Sequence, residues 1–231
     1  MTLAGDLLVI GRMNPGGRGH SQRGFLALAL GFLLVDFLLI NLGRNLHIPG
    51  TYWNWGGKFT SLAFCGALLA GSPWLRQNVG LRWKQAPGSV GVSVACFLVC
   101  TATGAVQGFC SSALPFSGET LLFEALMPSL DEELAVRGIA LAWLERAFGE
   151  SPMSGRLRYG WAALVTSVFF GLAHSVGVSQ GLHFSALAFG LTFGFASVAA
   201  LARTRSGSLL WPVLCHSGWN VSSFLLRMAL A

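Results

Sequence analysis

The feature that most restricts how this chain can fold is a series of apolar stretches that runs along almost all of it. Only 10% of its 231 residues are Asp, Glu, Lys or Arg, whereas soluble domains carry about 25%. Because this deficit is spread over the whole chain, a single membrane anchor does not account for it. The sequence therefore predicts an all-α polytopic membrane protein whose helices surround a polar intramembrane cavity.

The apolar stretches predict about seven transmembrane helices, most of them near the ~20 residues that cross a bilayer. We place these helices at 24–42, 59–75, 89–109, 119–144, 159–176, 182–202 and 208–229. The stretch 119–144 contains Pro128 and allows two structures, one long helix kinked at the proline or a short interfacial helix followed by a new one near Ser129. Ser129 and Glu132 match a capping box, which favours the second structure.

The charge distribution predicts the orientation of the protein. We expect residues 1–23 to form a basic cytoplasmic tail and residues 24–231 to form a single transmembrane domain. Most basic residues lie in the tail and in loops on one side of the predicted bundle, whereas the opposite loops carry only Arg44 and Lys58. By the positive-inside rule the N-terminus is cytoplasmic. We expect a multi-pass protein of a bacterial cytoplasmic membrane.

Two further features exclude other classes of protein. The net charge is +6, but the basic residues form no continuous patch, so we expect the lipid bilayer and no nucleic acid as a partner. The five cysteines lie in or beside apolar stretches without a Cys-x-x-Cys pair. We therefore expect buried thiols and no disulfide framework.

The most unusual polar residues are Glu132, Glu133 and Arg137, which lie in an apolar stretch. A charge at the centre of a membrane helix costs roughly 2.5–3.5 kcal/mol on insertion scales, so such residues need partners or water. Glu133 and Arg137 are four residues apart and can form an ion pair on one helix face. Glu132 points about 100° away and is left without that partner. The spacing fits either a helix cap beside a structural ion pair or a catalytic base beside it.

Two other apolar stretches carry polar side chains at comparable depth, namely His174 in one and His216 and Asn220 in the other. Each alone is better explained by hydrogen bonds between helices, and His216 and Asn220 are four residues apart and share a face. Together with the carboxylates they are the groups that hydrolysis of an amide bond needs. A carboxylate and a histidine activate water, and a second histidine and an amide stabilise the oxyanion.

Other acidic residues rank lower as candidates. Asp36 lies inside the first predicted helix and is expected to pair with a polar group on a neighbouring helix. Glu119 and Glu124 are expected on a solvated face or at a cavity rim.

Three motifs occur in the order Glu132-Glu133-x-x-x-Arg137, Phe170-x-x-x-His174 and His216-x-x-x-Asn220. They resemble the motifs of the CAAX protease and bacteriocin-processing family of intramembrane proteases. The resemblance covers about residues 121–226, and it implies an endopeptidase with Glu132 as the general base. It also implies support of the base by Glu133 and Arg137, assistance to the water by His174, and stabilisation of the oxyanion by His216 and Asn220.

The expected site contains no metal or other cofactor, because a carboxylate pair beside an arginine is typical of a base. The alternative is a zinc site made by Glu132, His174 and His216. The substrate would be a membrane protein, or a lipid-anchored or other peptide, such as a prenylated CAAX-like tail, a bacteriocin leader or a C-terminal sorting tail. We expect the first of these three least.

Two other functions fit the same residues. The protein could be a non-catalytic immunity or scaffold protein that keeps the polar cluster for packing. It could also be a proton-coupled transporter with Glu132 and Glu133 as the relay, although the chain shows no internal repeat of the kind that transporters use.

Overall fold

A computed structural model describes residues 18–149, 159–177 and 182–231, and most of these residues are helical. Its helices are α1 (Arg18–Gly43), α2 (Trp55–Gly71), α3 (Pro73–Asn78), α4 (Val90–Phe109), α5 (Gly118–Glu132), α6 (Leu141–Phe148), α7 (Trp161–Ser175), α8 (Ala186–Ser206) and α9 (Leu210–Ala229). A π-helical segment, Glu133–Ala140, joins α5 to α6. Two short antiparallel strands, β1 (Val176–Gly177) and β2 (His183–Phe184), precede α8.

Three of these helices are long and apolar enough to cross a membrane, namely Gln22–Gly43, Val90–Phe109 and Ala186–Ser206. A fourth, α7, is apolar but shorter. The all-helical fold is thus confirmed, and these helices fit a polytopic membrane protein. The full number of seven spans stays a prediction, as do the cytoplasmic N-terminus and the bacterial membrane. Most of the predicted tail lies outside the described residues, but α1 already begins at Arg18.

The stretch around Pro128 forms one continuous helical run from α5 to the end of α6, so the prediction of a new helix near Ser129 is wrong. The helix begins much earlier, where the hydroxyl of Ser117 accepts a hydrogen bond from the backbone N–H of Thr120. Ser129 is buried inside the helix instead of capping it.

Helix α9 explains how the run tolerates a proline. Proline has no backbone N–H, so Pro128 leaves the carbonyl of Glu124, four residues earlier, without its helical donor. The side-chain amide of Asn220 donates to this carbonyl at 3.3 Å. The hydroxyl of Ser217 donates to the next carbonyl, that of Ala125, at 2.6 Å. The neighbouring helix therefore supplies donors where the proline removes one.

The position of α9 is set by close packing against α4. A Cβ atom at Gly104 of α4 would collide with the backbone of Trp219, and one at Gly108 would collide with the backbone of Ser223. Small residues four apart let two helix backbones approach in this way in membranes. The contact places His216 and Asn220 of α9 opposite α5.

The packing of the helices tests two further predictions, the partner of Asp36 and the burial of the cysteines. The hydroxyl of Ser61 in α2 donates to the buried carboxylate of Asp36 in α1, as predicted. The five cysteines are all free, and four of them are buried. Cys110 is exposed because it follows the end of α4, which contradicts the expectation that every thiol is buried.

Candidate active site

Glu133 lies at the centre of the polar cluster, in the first turn of the π-helical segment. Its Oε1 atom accepts a hydrogen bond from Nη1 of Arg137 at 3.0 Å and one from Nδ1 of His216 at 2.8 Å. Glu133 and Arg137 are fully buried, and His216 is nearly so. The predicted ion pair is therefore present, with a histidine from α9 as its third member.

The π-helical geometry is itself notable because it changes which side chains share a face. A π-turn has hydrogen bonds between residues five apart, is rare, and often occurs at functional sites. Here it spans the residues from Glu133 to Ala140. It rotates the side chains that follow relative to those of α5.

Aromatic rings surround the buried guanidinium of Arg137. The Cζ atom lies 4.3 Å from the centre of the Phe170 ring and 5.8 Å from that of Phe195. Its Nε and Nη2 atoms have no hydrogen-bond partner among the described residues. The positive charge is therefore stabilised by the carboxylate of Glu133 and by two aromatic faces.

The two carboxylate oxygens of Glu132 have different surroundings. Oε1 accepts a hydrogen bond from Nζ of Lys58 at 2.7 Å. Oε2 lies 3.7 Å from Nε2 of His174 and has no hydrogen-bond partner within the described part of the chain. The side chain is 18% exposed. Sequence reasoning left Glu132 without a counter-ion, and Lys58 corrects that expectation.

Lys58 and Asp131 are members of this cluster that sequence reasoning missed. Nζ of Lys58 also donates to Oδ2 of the fully buried Asp131 at 2.9 Å. Lys58 was expected in an outer loop, but it lies buried in the first turn of α2. One signal was available, since three consecutive carboxylates, Asp131 to Glu133, share a single nearby arginine. Buried carboxylates need compensating charge, so a second cation was required.

His174 is the most accessible member of the cluster, with 40% of its side chain exposed. Its Nδ1 atom lies 2.9 Å from the carbonyl oxygen of Phe170. Because a carbonyl can only accept, Nδ1 carries the proton. In the neutral ring Nε2 then has a free lone pair, and this atom faces Glu132.

Asn220 binds a different acidic residue from His216. Its Nδ2 atom donates to Oε2 of Glu124 at 3.0 Å, in addition to the backbone carbonyl of the same residue. His216 and Asn220 therefore bind different acidic residues, and both form hydrogen bonds between helices, from α9 to the run of α5 and the π-helical segment.

The two lower-ranked acidic residues differ in their surroundings. Glu124 is buried, so the expectation of a solvated face is wrong for it. Glu119 is partly buried and accepts hydrogen bonds from Nε1 of Trp55 at 2.8 Å and from the backbone of Trp53 at 3.3 Å. This bonding connects the loop before α2 to the start of α5.

A metal site needs several ligand side chains that converge on one point. Within residues 18–149, 159–177 and 182–231, no group of three or more His, Cys, Asp or Glu side chains could hold a metal ion. Of the three residues in the zinc alternative, Glu132 and His174 face each other, whereas His216 binds Glu133. This arrangement does not fit a zinc site. The expectation of a metal-free site stays a prediction.

A largely apolar helical fold that encloses a carboxylate, arginine and histidine cluster defines a class of protein, the helical membrane protein with an internal polar site. Residues 117–222 match the family model described as type II CAAX prenyl endopeptidase Rce1-like. The resemblance that the motifs indicated is thereby confirmed for this segment, which contains every predicted site residue. No curated protein and no solved structure matches the chain.

Proposed function

We propose that the protein is an intramembrane endopeptidase that hydrolyses a peptide bond in a membrane-associated protein or peptide, with a water activated by Glu132 as the nucleophile. One observation carries this proposal. The buried Oε2 of Glu132, which has no hydrogen-bond partner among the described residues, faces Nε2 of the more exposed His174 at 3.7 Å. Two acceptors at this separation can both bind the hydrogens of one water molecule.

In the proposed reaction the water oxygen attacks the scissile carbonyl carbon while its proton passes to the carboxylate of Glu132. The electrons of the carbonyl bond move to its oxygen, which becomes an oxyanion. When the intermediate collapses, the C–N bond breaks and the protonated Glu132 returns the proton to the leaving amine. The products are a carboxylic acid and an amine, and Glu132 regains its charge.

His216 is proposed to stabilise the oxyanion through Nε2. Because its Nδ1 atom donates to Glu133, Nε2 carries a proton only when the ring is an imidazolium. The carboxylate of Glu133 is in contact with the ring and stabilises that positive charge. The role that the resemblance implies for Glu133 is thus support of His216 as well as of Arg137.

Asn220 is the second proposed ligand of the oxyanion. Its amide has two hydrogens, and both have acceptors on Glu124. Donation to a substrate therefore requires Asn220 to release one of them. The bond to the backbone carbonyl, at 3.3 Å, is the longer of the two and the easier to release.

The name of the matched family supports a substrate class. We propose a prenylated C-terminal tail as the first substrate to test, since the matched model describes CAAX prenyl endopeptidases. A bacteriocin leader and a C-terminal sorting tail are the alternatives. They would be found by comparing the termini of membrane proteins in cells with the wild-type or the Glu132→Gln protein.

The test uses the full chain in liposomes with a farnesylated CAAX peptide, together with the comparison of membrane-protein termini. We expect cleavage by the wild type and a loss of roughly 10²–10⁴-fold in Glu132→Gln, the usual contribution of a general base. Glu145→Gln is the control, because this exposed carboxylate lies on α6, outside the three motifs, and its charge interacts with Arg203 instead of with the cluster. Undiminished cleavage by Glu132→Gln contradicts the proposal, and a biological activity that this variant retains favours the scaffold or immunity function.

A further inference from the structure

We infer that Lys58 is a positioning residue of the active site, which holds the carboxylate of Glu132 in its reactive orientation. This inference rests on the proposed function. Lys58 lies in α2, outside the segment 117–222 that matches the protease family. The first part of the chain would thus complete a site whose other proposed members all lie in the matched segment.

The contacts of the ammonium group are the first support for this role. It lies 2.7 Å from Oε1 of Glu132 and 2.9 Å from Oδ2 of Asp131, and Lys58 is only 7% exposed. Hydrogen bonds between charged groups are roughly twice as strong as neutral ones. With Oε1 held by Lys58, the carboxylate presents Oε2 to His174.

The position of Lys58 in its own helix is the second support. The N-terminus of a helix carries a partial positive charge, so a lysine in the first turn is unfavourable for α2 by itself. Lys58 nevertheless lies in that turn and is buried there. The buried position of Lys58 is therefore explained by its ion pairs with the carboxylates of Asp131 and Glu132 in α5, and not by the stability of α2 itself.

The start of α2 is also held firmly, which positioning requires. Asn54 caps the helix by accepting from the backbone N–H of Gly57 at 3.0 Å, and its amide donates to the carbonyl of Ile40 in α1 at 3.1 Å. A Cβ atom at Gly57 would collide with that carbonyl, so only glycine allows this approach. The backbone that carries Lys58 is therefore packed directly against α1.

The charges around the ammonium group define what its removal would do. Glu133 is paired with Arg137 and His216, and Asp36 accepts from Ser61, so neither depends on Lys58 for a direct partner. Asp131 and Glu132 would both lose their cation. The Glu132 carboxylate could then turn toward other donors, and the orientation of Oε2 would no longer be defined.

The test separates positioning of Glu132 from simple neutralisation of Asp131. Lys58→Met alone removes the ammonium partner of both Asp131 and Glu132 and is expected to destabilise the protein. The double variant Lys58→Met with Asp131→Asn removes one of those charges. Lys58→Arg restores a cation with several donors, and Lys84→Met in an exposed loop is the matched control. Each protein is assayed in liposomes on the farnesylated peptide and, in cells, on the termini that the wild type generates.

We expect the double variant to recover much of the thermal stability that Lys58→Met loses. Its kcat should nevertheless stay roughly 10²-fold below wild type with little change in KM, as for a misplaced catalytic group. Lys58→Arg should recover part of kcat, and Lys84→Met should resemble the wild type. A double variant with the kcat of the wild type overturns the inference, because Lys58 would then serve only Asp131.

If the proposed protease function itself is wrong, the same experiments give a different result. In that case neither the peptide nor any membrane protein is cleaved by the wild type, or Glu132→Gln cleaves as well as the wild type does. Either result overturns the role of Lys58 together with the protease function. An active wild type, an inactive Glu132→Gln and a fully active double variant overturn the role of Lys58 alone.

Discussion

His216 donates from Nδ1 to Oε1 of Glu133 at 2.8 Å, on the same oxygen atom that receives Nη1 of Arg137. One buried carboxylate thus compensates an arginine in its own helical run and a histidine from α9. Glu133 therefore both compensates the buried charge of Arg137 and holds His216, the proposed ligand of the oxyanion. The side chain of its neighbour Glu132 is 18% exposed, and its buried Oε2 has no hydrogen-bond partner within the described residues. The two adjacent glutamates should respond differently to the same substitution.

Glu133→Gln is expected to destabilise the protein, because it leaves the buried charge of Arg137 without a carboxylate. Removing one partner of a buried ion pair costs about 3–5 kcal/mol. Glu132→Gln should change the free energy of unfolding much less, although it lowers cleavage by roughly 10²–10⁴-fold. Denaturation of both variants in detergent measures the difference. Equal stabilities would contradict the central role assigned to Glu133.

His174→Gln is expected to lower kcat by roughly 10²–10⁴-fold, since its ring would no longer share the proton of the attacking water. Stability should change little because the side chain is 40% exposed. The measurement is cleavage of the peptide together with the melting temperature. His47→Gln, an exposed histidine in a loop, is the control. A kcat within a factor of about two of wild type would argue against the proposed water site.

Pro128 and Asn220 should be energetically coupled, because the proline frees the carbonyl to which the amide donates. Pro128→Ala restores a backbone donor, so Asn220→Ala should cost less stability in that background than in the wild type. We expect a coupling energy of about 0.5–1.5 kcal/mol, the net contribution of one hydrogen bond. A double-mutant cycle of unfolding free energies measures it. Strictly additive effects would show that the amide does not compensate the proline.

Two glycines of α4 should respond in opposite ways to alanine. Gly104→Ala places a methyl group against the backbone of Trp219 and should destabilise the protein by about 1–3 kcal/mol, as overpacking does. Gly91→Ala in the same helix meets no atom within 4 Å and should be neutral or stabilising. Melting temperatures compare them. Cleavage should fall in Gly104→Ala alone, since α9 carries His216.

Removal of metal ions is expected to leave cleavage unchanged, because the reaction proposed here uses no metal. The reconstituted protein is treated with a zinc chelator, the chelator is removed, and cleavage of the peptide is measured. Activity that disappears and then returns with zinc would contradict the metal-free proposal. It would also mean that Glu132, His174 and His216 adopt an arrangement different from the one described.

Local features of the sequence predicted much of the fold. Apolar stretches predicted the long helices, because hydrophobic patterns and their interruptions act over neighbouring residues. They missed the short helix α3 and placed the start of α1 six residues late. The pair of Glu133 and Arg137 was predictable for the same reason, since residues four apart share a helix face. The three motifs also led to the family resemblance, which residues 117–222 confirm.

The tertiary structure decided the contacts between distant residues. Lys58 and Glu132 are separated by 74 positions, and His216 and Glu133 by 83. No local pattern specifies which helices will face each other. The helix start predicted at Ser129 failed for a related reason, because α9 supplies hydrogen-bond donors that local signals do not contain. The sequence by itself determined the helices and the chemical groups of the cluster, and only the packing of α2 and α9 against α5 and the π-helical segment decided the partner of each group.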